Sequence, residues 1–235
     1  MRILIDNVSG GPVATDPSAD PSDDRLGSLY AAPQSPWLRV NMISTLDGAA
    51  TGAGGKSGDI NNPADKRVFD TLRSLADVIV VGAGTARIEE YGVASVPIAV
   101  VSRRAEIPAG LRDAATGKVL LVTCARADGL AASRELLGEE QVIVVGDEAV
   151  DLRGMRAELV DRGFRCLLSE GGPHLCADLL AAGVVDELCL SVVPHLLSGP
   201  YPRIAVGPVV DIDLDLLLLL EGNGTLLGRW AVSPT

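Results

Sequence analysis

The chain has 235 residues, a length typical of one α/β domain, and 47% of them are hydrophobic, which suffices for a sizeable core. Only 3% are aromatic, so this core must consist of Val, Leu, Ile and Ala. The net charge of −11 argues against nucleic-acid or anionic-membrane partners, because these bind basic surfaces. A polyanionic small-molecule cofactor stays compatible with this charge.

Neither a metal site nor a disulfide framework is expected. The only histidines are His174 and His195, and the cysteines lack CxxC spacing: Cys124, Cys166, Cys176 and Cys189. Free thiols in a reducing compartment are the simplest interpretation. There is no signal-peptide pattern, and Leu216–Leu220 is too short to cross a bilayer. We therefore expect a soluble, cytoplasmic protein.

The first 36 residues are predicted to form an extended N-terminal arm, because residues 7–36 are rich in Pro, Asp, Ser and Gly. Within the arm, Arg2–Ile5 has the composition to add a short strand. A single domain is predicted from Trp37 to the end, over residues 37–235.

The first core strand is predicted at Leu38–Ile43, and a turn follows at Ser44–Gly48. The loop Thr51–Asp59 is loaded with glycine. A helix is predicted to start at Asn62, which can act as the cap, with proline at the first helical position and Asp65 as an acid in the first turn.

Apolar runs of strand length then alternate with helical patterns, which predicts a mostly parallel sheet flanked by helices. The strands are Val78–Val81, Ile98–Ser102, Val119–Thr123, Val142–Val145, Cys166–Ser169 and Leu188–Val193, and the clearest helices are Leu130–Leu137, Arg153–Arg162 and Leu175–Ala182. At the end, Leu214–Leu220 and Leu226–Val232 flank Gly222-Asn223-Gly224, as in an antiparallel hairpin. The fold class is therefore mixed α/β.

Two of these strands stop abruptly at glycines and open into helices, at Asp77–Thr85 and Leu167–His174. Such turns place backbone N–H groups and a positive helix end at the carboxyl edge of a sheet, where a dinucleotide pyrophosphate can bind. Glycine also serves tight turns for conformational reasons alone, so one turn would be weak evidence. Two such turns, with Glu170 in the second, predict a cofactor site.

With these motifs in this order, the chain from Trp37 onward resembles the reductase domain of the bifunctional deaminase–reductases of riboflavin biosynthesis. The motifs are Ser44–Gly48, Gly55–Ile60, Arg73, Val81–Thr85 and Ser169–Pro173. The resemblance implies a dihydrofolate-reductase-like fold, NADPH as hydride donor, a C=N acceptor and a homodimer. The companion deaminase domain needs a His-x-Glu and Pro-Cys-x-x-Cys zinc set that the arm does not contain, so a stand-alone form is expected.

The resemblance also assigns cofactor contacts to both glycine turns: Gly82, Gly84, Thr85, Glu89, Gly171, Gly172, Pro173 and His174. An ordinary helix cap at Thr85, a solvated charge at Glu89 and a surface histidine at His174 are the alternatives. After the strand at Ile98, Ser102 and Arg103 stand where an NAD site usually has an acid, which favours a 2′-phosphate and hence NADPH. An exposed basic loop is the alternative there.

On the substrate side, the resemblance implies contacts from Asn41, Ser57, Arg73 and Glu170. Asp47 and Glu170 are the predicted catalytic residues, and Asp47 would need burial to raise its pKa. A turn aspartate at Asp47, and pairing of Arg73 with Asp70 or Asp77, are the alternatives.

The chain departs from the family after Thr85. Riboflavin-pathway reductases carry Asp-Pro-x-Leu-Thr-x-Arg there, with the arginine on the substrate phosphate, whereas this chain has Glu90–Ala94 and no arginine. Asp59 also stands where tryptophan is common. Loss of a charge-assisted phosphate contact costs about 1.5–3 kcal/mol. Reduction of dihydrofolate or another pterin is therefore an alternative, as is an NADP-binding sensor without turnover.

Overall fold

The computed structural model describes residues 1–8 and 20–233, which form ten strands and six α-helices. The strands are β1 (Arg2–Asp6), β2 (Trp37–Thr45), β3 (Val78–Gly82), β4 (Ile98–Val101), β5 (Val119–Thr123), β6 (Val142–Val144), β7 (Cys166–Ser169), β8 (Glu187–Val193), β9 (Leu214–Gly222) and β10 (Thr225–Val232). The helices are α1 (Asp23–Tyr30), α2 (Pro63–Ser74), α3 (Ala83–Ile88), α4 (Leu130–Leu137), α5 (Leu152–Asp161) and α6 (Pro173–Ala181).

All strands belong to one sheet in the order β1-β9-β10-β8-β2-β7-β3-β4-β5-β6. Pairing is parallel from β8 to β6 and antiparallel among β1, β9, β10 and β8. The predicted C-terminal hairpin is present, and its two-residue turn has positive φ at Asn223 (53°) and Gly224 (78°), as a type I′ turn requires. The predicted α/β class with a mostly parallel mixed sheet is confirmed.

The sheet is covered on both faces, which explains why its central strands are uniformly apolar. Val78 and Val80 of β3 pack in the same cluster as Met155 of α5, whereas Ile79 and Val81 belong to a separate cluster. Leu72 of α2 lies in a third cluster together with α1. None of the helices in the described residues has the length and apolar character needed to cross a bilayer.

The segment before Trp37 differs from the extended arm that its composition suggests. The short strand forms as β1, but Asp23–Tyr30 is helical, with the Ser22 hydroxyl accepting from Arg25 N–H at the cap. Leu26 and Leu29 are buried, so two leucines at helical spacing outweigh the polar composition. Residues 9–19 of the predicted arm lie outside the described residues, and the boundary at Trp37 stays a prediction.

A buried ion network fixes the end of α1 to the sheet. Glu187 of β8 is fully buried between Arg229 (2.8 Å) and Arg39 (3.0 Å). Arg39 donates to the Tyr30 carbonyl at 2.7 Å, and Arg229 donates to the Ala31 carbonyl at 3.0 Å. The two guanidinium groups therefore satisfy both a buried carboxylate and the carbonyls at the helix C-terminus.

Candidate active site

A cleft of about 560 Å³ opens at the carboxyl edge of the parallel strands. It exists because β7 is short: Ser169, its last residue, pairs with Val40, while β2 continues to Thr45. The next residues of β2, Asn41 to Ile43, therefore line a step in the sheet beside Glu170. In an open parallel sheet this edge is the usual place for ligands.

The two glycine turns lie side by side at this edge and are hydrogen-bonded to each other. The N–H of Gly82 donates to the carbonyl of Gly171 at 2.8 Å. The N–H of Gly172 donates to the hydroxyl of Thr85 at 2.9 Å. The N-termini of α3 and α6 are thus brought together on one side of the molecule, as a shared cofactor site requires.

The glycines of the two turns are there for different structural reasons. A Cβ at Gly172 would lie 2.3 Å from the Thr85 hydroxyl oxygen, and one at Gly171 would lie 2.7 Å from the Met42 sulfur. Packing within the protein therefore accounts for these two glycines. A Cβ at Gly84, in contrast, would meet no atom within 4 Å, so this residue borders open space in the cleft.

The chemistry of the two turns fits a pyrophosphate. The first N–H groups of a helix have no partner within it, and α3 and α6 both begin at the cleft. Gly84, Thr85 and His174 line the cleft. Pro173 is the first residue of α6 and has no N–H, so none is wasted there.

Glu170 is the centre of a buried polar group at the cleft. Its carboxylate accepts two hydrogen bonds from Arg73, at 2.7 and 2.8 Å, and one from the Tyr91 hydroxyl at 2.5 Å. Burial, together with the Glu170 charge, raises the pKa of Tyr91, so its hydroxyl stays a proton donor. Arg73 does not pair with Asp70 or Asp77, the alternatives that its neighbours in sequence offered.

The glycine-rich loop is held over α3 by carboxylates. Glu89 accepts from the Ser57 N–H at 2.7 Å, and Glu90 forms an ion pair with Lys56 at 2.6 Å. Asp59 accepts from the Gly54 N–H at 2.9 Å within the loop. Ser57 and Glu89, predicted as substrate and cofactor contacts, both line the cleft, and here they also position the loop.

Asp47 lies outside the set of residues that line the cleft, and its side chain is exposed. The Thr45 hydroxyl, at 2.5 Å, and the Leu197 N–H lower the pKa of Asp47. The burial that a raised pKa of Asp47 would need is absent, because the carboxylate faces solvent and accepts hydrogen bonds. The turn interpretation of Asp47 describes this geometry better.

Ser102 and Arg103 also lie outside the cleft lining, but at the same edge of the sheet. They follow β4, whose last residue Val101 pairs with Gly82. Ser102 is buried, and its hydroxyl accepts from the Glu106 N–H at 2.9 Å, whereas Arg103 is exposed. Arg87 of α3 and Arg104 approach Glu106 at 3.5 and 4.0 Å, so this corner holds arginines around one acid.

A single face of α2 forms one wall of the cleft. The sequence analysis identified only some of the residues on this face. Asp65, Phe69 and Arg73 are four residues apart, so they lie on one face of the helix, and all three line the cleft. The Phe69 ring packs 4.3 Å from the Arg73 guanidinium. Once Arg73 is placed at the site, the same spacing points back along the helix to the other two.

Most of the predicted site residues are brought together by the fold. Those lining the cleft are Asn41, Ser57, Arg73, Gly84, Thr85, Glu89, Glu170, Gly172, Pro173 and His174. Those outside its lining are Asp47, Gly82, Ser102, Arg103 and Gly171. Their individual roles stay predictions. Lining residues that were not predicted include Asp65, Phe69 and Tyr91.

Comparison with known proteins gives this geometry a context. The model of a family described as the RibD C-terminal domain matches residues 36–219. A protein of Methanothermobacter thermautotrophicus named 2,5-diamino-6-ribosylamino-4(3H)-pyrimidinone 5′-phosphate reductase is 30% identical over 208 residues, covering 83% of this chain and 94% of that protein. A protein of the same name from Archaeoglobus fulgidus is 28% identical over 181 residues, or 70% and 83% of the two chains.

Among solved structures, a pyrimidine reductase-like protein from Corynebacterium diphtheriae has a similar fold. Its TM-score is 0.75 at 24% identity, and the match covers 85% of this chain and 93% of that one.

Proposed function

Because the chain belongs to the RibD C-terminal domain family, we propose that it is a reductase of riboflavin biosynthesis that acts on a ribosylaminopyrimidine. This membership confirms the resemblance that the sequence motifs indicate. The observation that carries the proposal is the cleft, where two joined helix N-termini face a wall that presents a carboxylate, an aromatic ring and an arginine.

The proposed cofactor is NADPH, which when bound supplies a hydride. The first-turn N–H groups of α3 and α6 would hold its pyrophosphate, and the open space at Gly84 would allow close approach. Arg103 binds the 2′-phosphate at the end of β4. The negative charge of that phosphate suits the arginines at this corner.

The proposed substrate is the open-chain imine form of a glycosylamine. Bound NADPH would supply the hydride for the carbon of the C=N bond, and an acid or a water in the cleft would give the nitrogen its proton. Arg73 and Glu170 bind the sugar portion, because together they offer both donors and acceptors. Catalysis then consists largely of holding donor and acceptor in position.

The experiment is NADPH oxidation, followed at 340 nm, with three substrates: the 5′-phosphorylated diaminopyrimidinone, the corresponding aminouracil and dihydrofolate. Turnover of a pyrimidine but not of dihydrofolate supports the proposal. Turnover of dihydrofolate alone would replace it with a pterin reductase. Saturable NADPH binding without oxidation on any of the three would indicate a sensor.

We also propose that the protein is a homodimer, as the resemblance implies, and that it resides in the cytoplasm. Four free cysteines, of which Cys124, Cys176 and Cys189 are buried, suit a reducing compartment.

A further inference from the structure

A second cavity, of about 480 Å³, lies at the amino edge of the parallel strands, the edge opposite the candidate active site. Trp37 and Cys166, the first residues of β2 and β7, both line it. Leucines and alanines around the end of α2 and just after α1 complete its walls. No residue lines both this cavity and the active-site cleft, so the proposed reductase chemistry makes no use of it.

Arg39 is the only charged residue among the described residues that line this cavity. It is 5% exposed, its Nη2 donates to the Tyr30 carbonyl at 2.7 Å, and its Nε lies 3.0 Å from the Glu187 carboxylate. Within the described ranges, Nη1 has no acceptor, yet it is not among the side-chain nitrogens that are fully enclosed without a partner. The two N–H groups of Nη1 are therefore available to a molecule in the cavity.

The charges around Arg39 do not balance. Arg39 and Arg229 share a single carboxylate, that of Glu187, which stays ionised because the two arginines outweigh the effect of burial on its pKa. Burial raises the pKa of Tyr30 and of Cys189, so both side chains are neutral at pH 7. Two guanidinium groups and one carboxylate leave a net charge of +1 inside the protein, where solvent screens it poorly. An anion in the cavity compensates this charge.

The walls of the cavity define what kind of anion fits. Leu72 and Leu75 present aliphatic groups, and Trp37 presents an aromatic ring. Inorganic phosphate would leave these surfaces unfilled, whereas a ring or a branched chain that carries one carboxylate can cover them. A single negative charge also matches the single excess positive charge. The volume lies within the range of about 300–1,000 Å³ that small-molecule sites occupy.

We propose that this cavity is a binding site for a small carboxylic acid with an apolar body. The carboxylate accepts hydrogen bonds from Nη1 of Arg39, and the apolar body packs against Trp37 and Leu75. This inference does not depend on the proposed function, because the two sites lie at opposite edges of the sheet.

The test uses benzoate as the probe, benzamide as its uncharged analogue and inorganic phosphate as an anion without an apolar body. Titration calorimetry with the whole chain should show saturable binding of benzoate. Benzamide and phosphate should each bind at least about tenfold more weakly, since each lacks one of the two interactions. Equal affinity for benzoate and benzamide, or no saturable binding of benzoate, would overturn the inference.

The thiol of Cys166 reports where the probe binds, because it lines the cavity and the other three cysteines are buried. Alkylation of Cys166 by iodoacetamide, followed by mass spectrometry of its peptide, should slow about tenfold at a benzoate concentration ten times the Kd. An unchanged alkylation rate at saturating benzoate would place the probe elsewhere and overturn the inference.

Two substitutions separate the cation from the cavity. Arg39→Gln should reduce the affinity for benzoate to that for benzamide. Because Arg39 also pairs with Glu187, Ala32→Phe gives a second test that leaves the ion network intact: it fills the cavity from its partly exposed rim and should abolish benzoate binding. Ala131→Phe, at an exposed position of α4, is the matched control and should bind benzoate as wild type does. Wild-type affinity in Ala32→Phe would overturn the inference.

Discussion

Glu170 and Asp65 stand on the same cleft with opposite electrostatic surroundings. Glu170 accepts from Arg73 and Tyr91, so its charge is compensated before any ligand binds. Asp65 is buried in the first turn of α2, where burial raises its pKa and the Ser191 hydroxyl of β8 lowers it by less. Two buried carboxylates on one cleft thus differ in their electrostatics because their neighbours differ.

Asp65→Asn is expected to stabilise the protein at neutral pH. A carboxyl whose pKa is raised by folding binds protons more readily in the folded state, so stability falls as pH rises from the ordinary value through the raised one. At pH 7 the charged form therefore destabilises the fold. Thermal melts at pH 7 should show a gain of about 2 °C for Asp65→Asn.

At a pH below both the ordinary and the raised pKa of Asp65, the gain in melting temperature should shrink, because the carboxyl of wild type is then protonated. Asp70 lies on the same helix in an exposed ion pair with Lys66, so Asp70→Asn is the control and should leave the melting temperature unchanged at either pH. A lower melting temperature for Asp65→Asn at pH 7 would mean that the carboxylate stabilises the fold.

Arg103→Ala tests the proposed choice of cofactor. Removal of a charge-assisted contact to the 2′-phosphate should weaken NADPH binding by about 10–100-fold and leave NADH binding unaffected. Arg165→Ala is the matched control, because Arg165 is exposed and precedes β7, at the opposite edge of the sheet. Titration with both cofactors gives the answer; equal losses for both would refute a 2′-phosphate contact at Arg103.

At the scale of elements, the attachment of α1 depends on the buried network at Glu187. Burial acts to raise the pKa of Glu187, but the charges and hydrogen bonds of Arg39 and Arg229 outweigh it and hold this pKa low. A lowered pKa stabilises the fold above the ordinary value of 4.5, and this stability is lost as pH falls through the folded value.

Glu187→Gln should lower the free energy of unfolding at pH 7 by about 3 kcal/mol, since two buried arginines lose their counter-ion. Its stability should also decline less than that of wild type below pH 4.5. Urea unfolding across this range measures both effects. Glu221→Gln, which removes a pair between β9 and the exposed Arg2, should cost less than about 1 kcal/mol.

The elements that could be predicted from sequence are those with a strong local signal. The predicted limits of β5, β7 and α4 are those observed, because apolar periodicity and flanking turns mark them. Helix α1 was missed because Leu26 and Leu29 are embedded in acidic and proline-rich sequence. Its stability comes from tertiary contacts with Arg39 and Arg229, which no local pattern reveals.

The candidate site was predictable where family motifs mark it, as at Arg73, Thr85 and Glu170. Tyr91 was passed over because its segment departs from the family pattern, although its hydroxyl reaches Glu170. Asp65 looked like an ordinary first-turn acid. Its burial appears only once the chain has folded and brought Ser191 of β8 near its carboxylate.

At the scale of the whole molecule, the proposed homodimer is the remaining expectation. Light scattering after size-exclusion chromatography should give twice the chain mass of 24.3 kDa. Because the net charge of −11 makes copies repel each other at low ionic strength, the measurement belongs at about 0.15 M salt, where the Debye length is about 8 Å. A mass of one chain across micromolar concentrations would contradict the dimer.

The mutual hydrogen bonds of the glycine turns have a kinetic consequence. The hydrogen bond from Gly172 to Thr85 joins the two turns when the protein folds. The entropy cost of ordering the N–H groups of both turns is therefore met before any nucleotide binds. Encounter with a dinucleotide then needs no loop rearrangement on this side of the cleft. We therefore expect the proposed dinucleotide to bind in one step, so that the observed binding rate rises in proportion to its concentration without reaching a plateau.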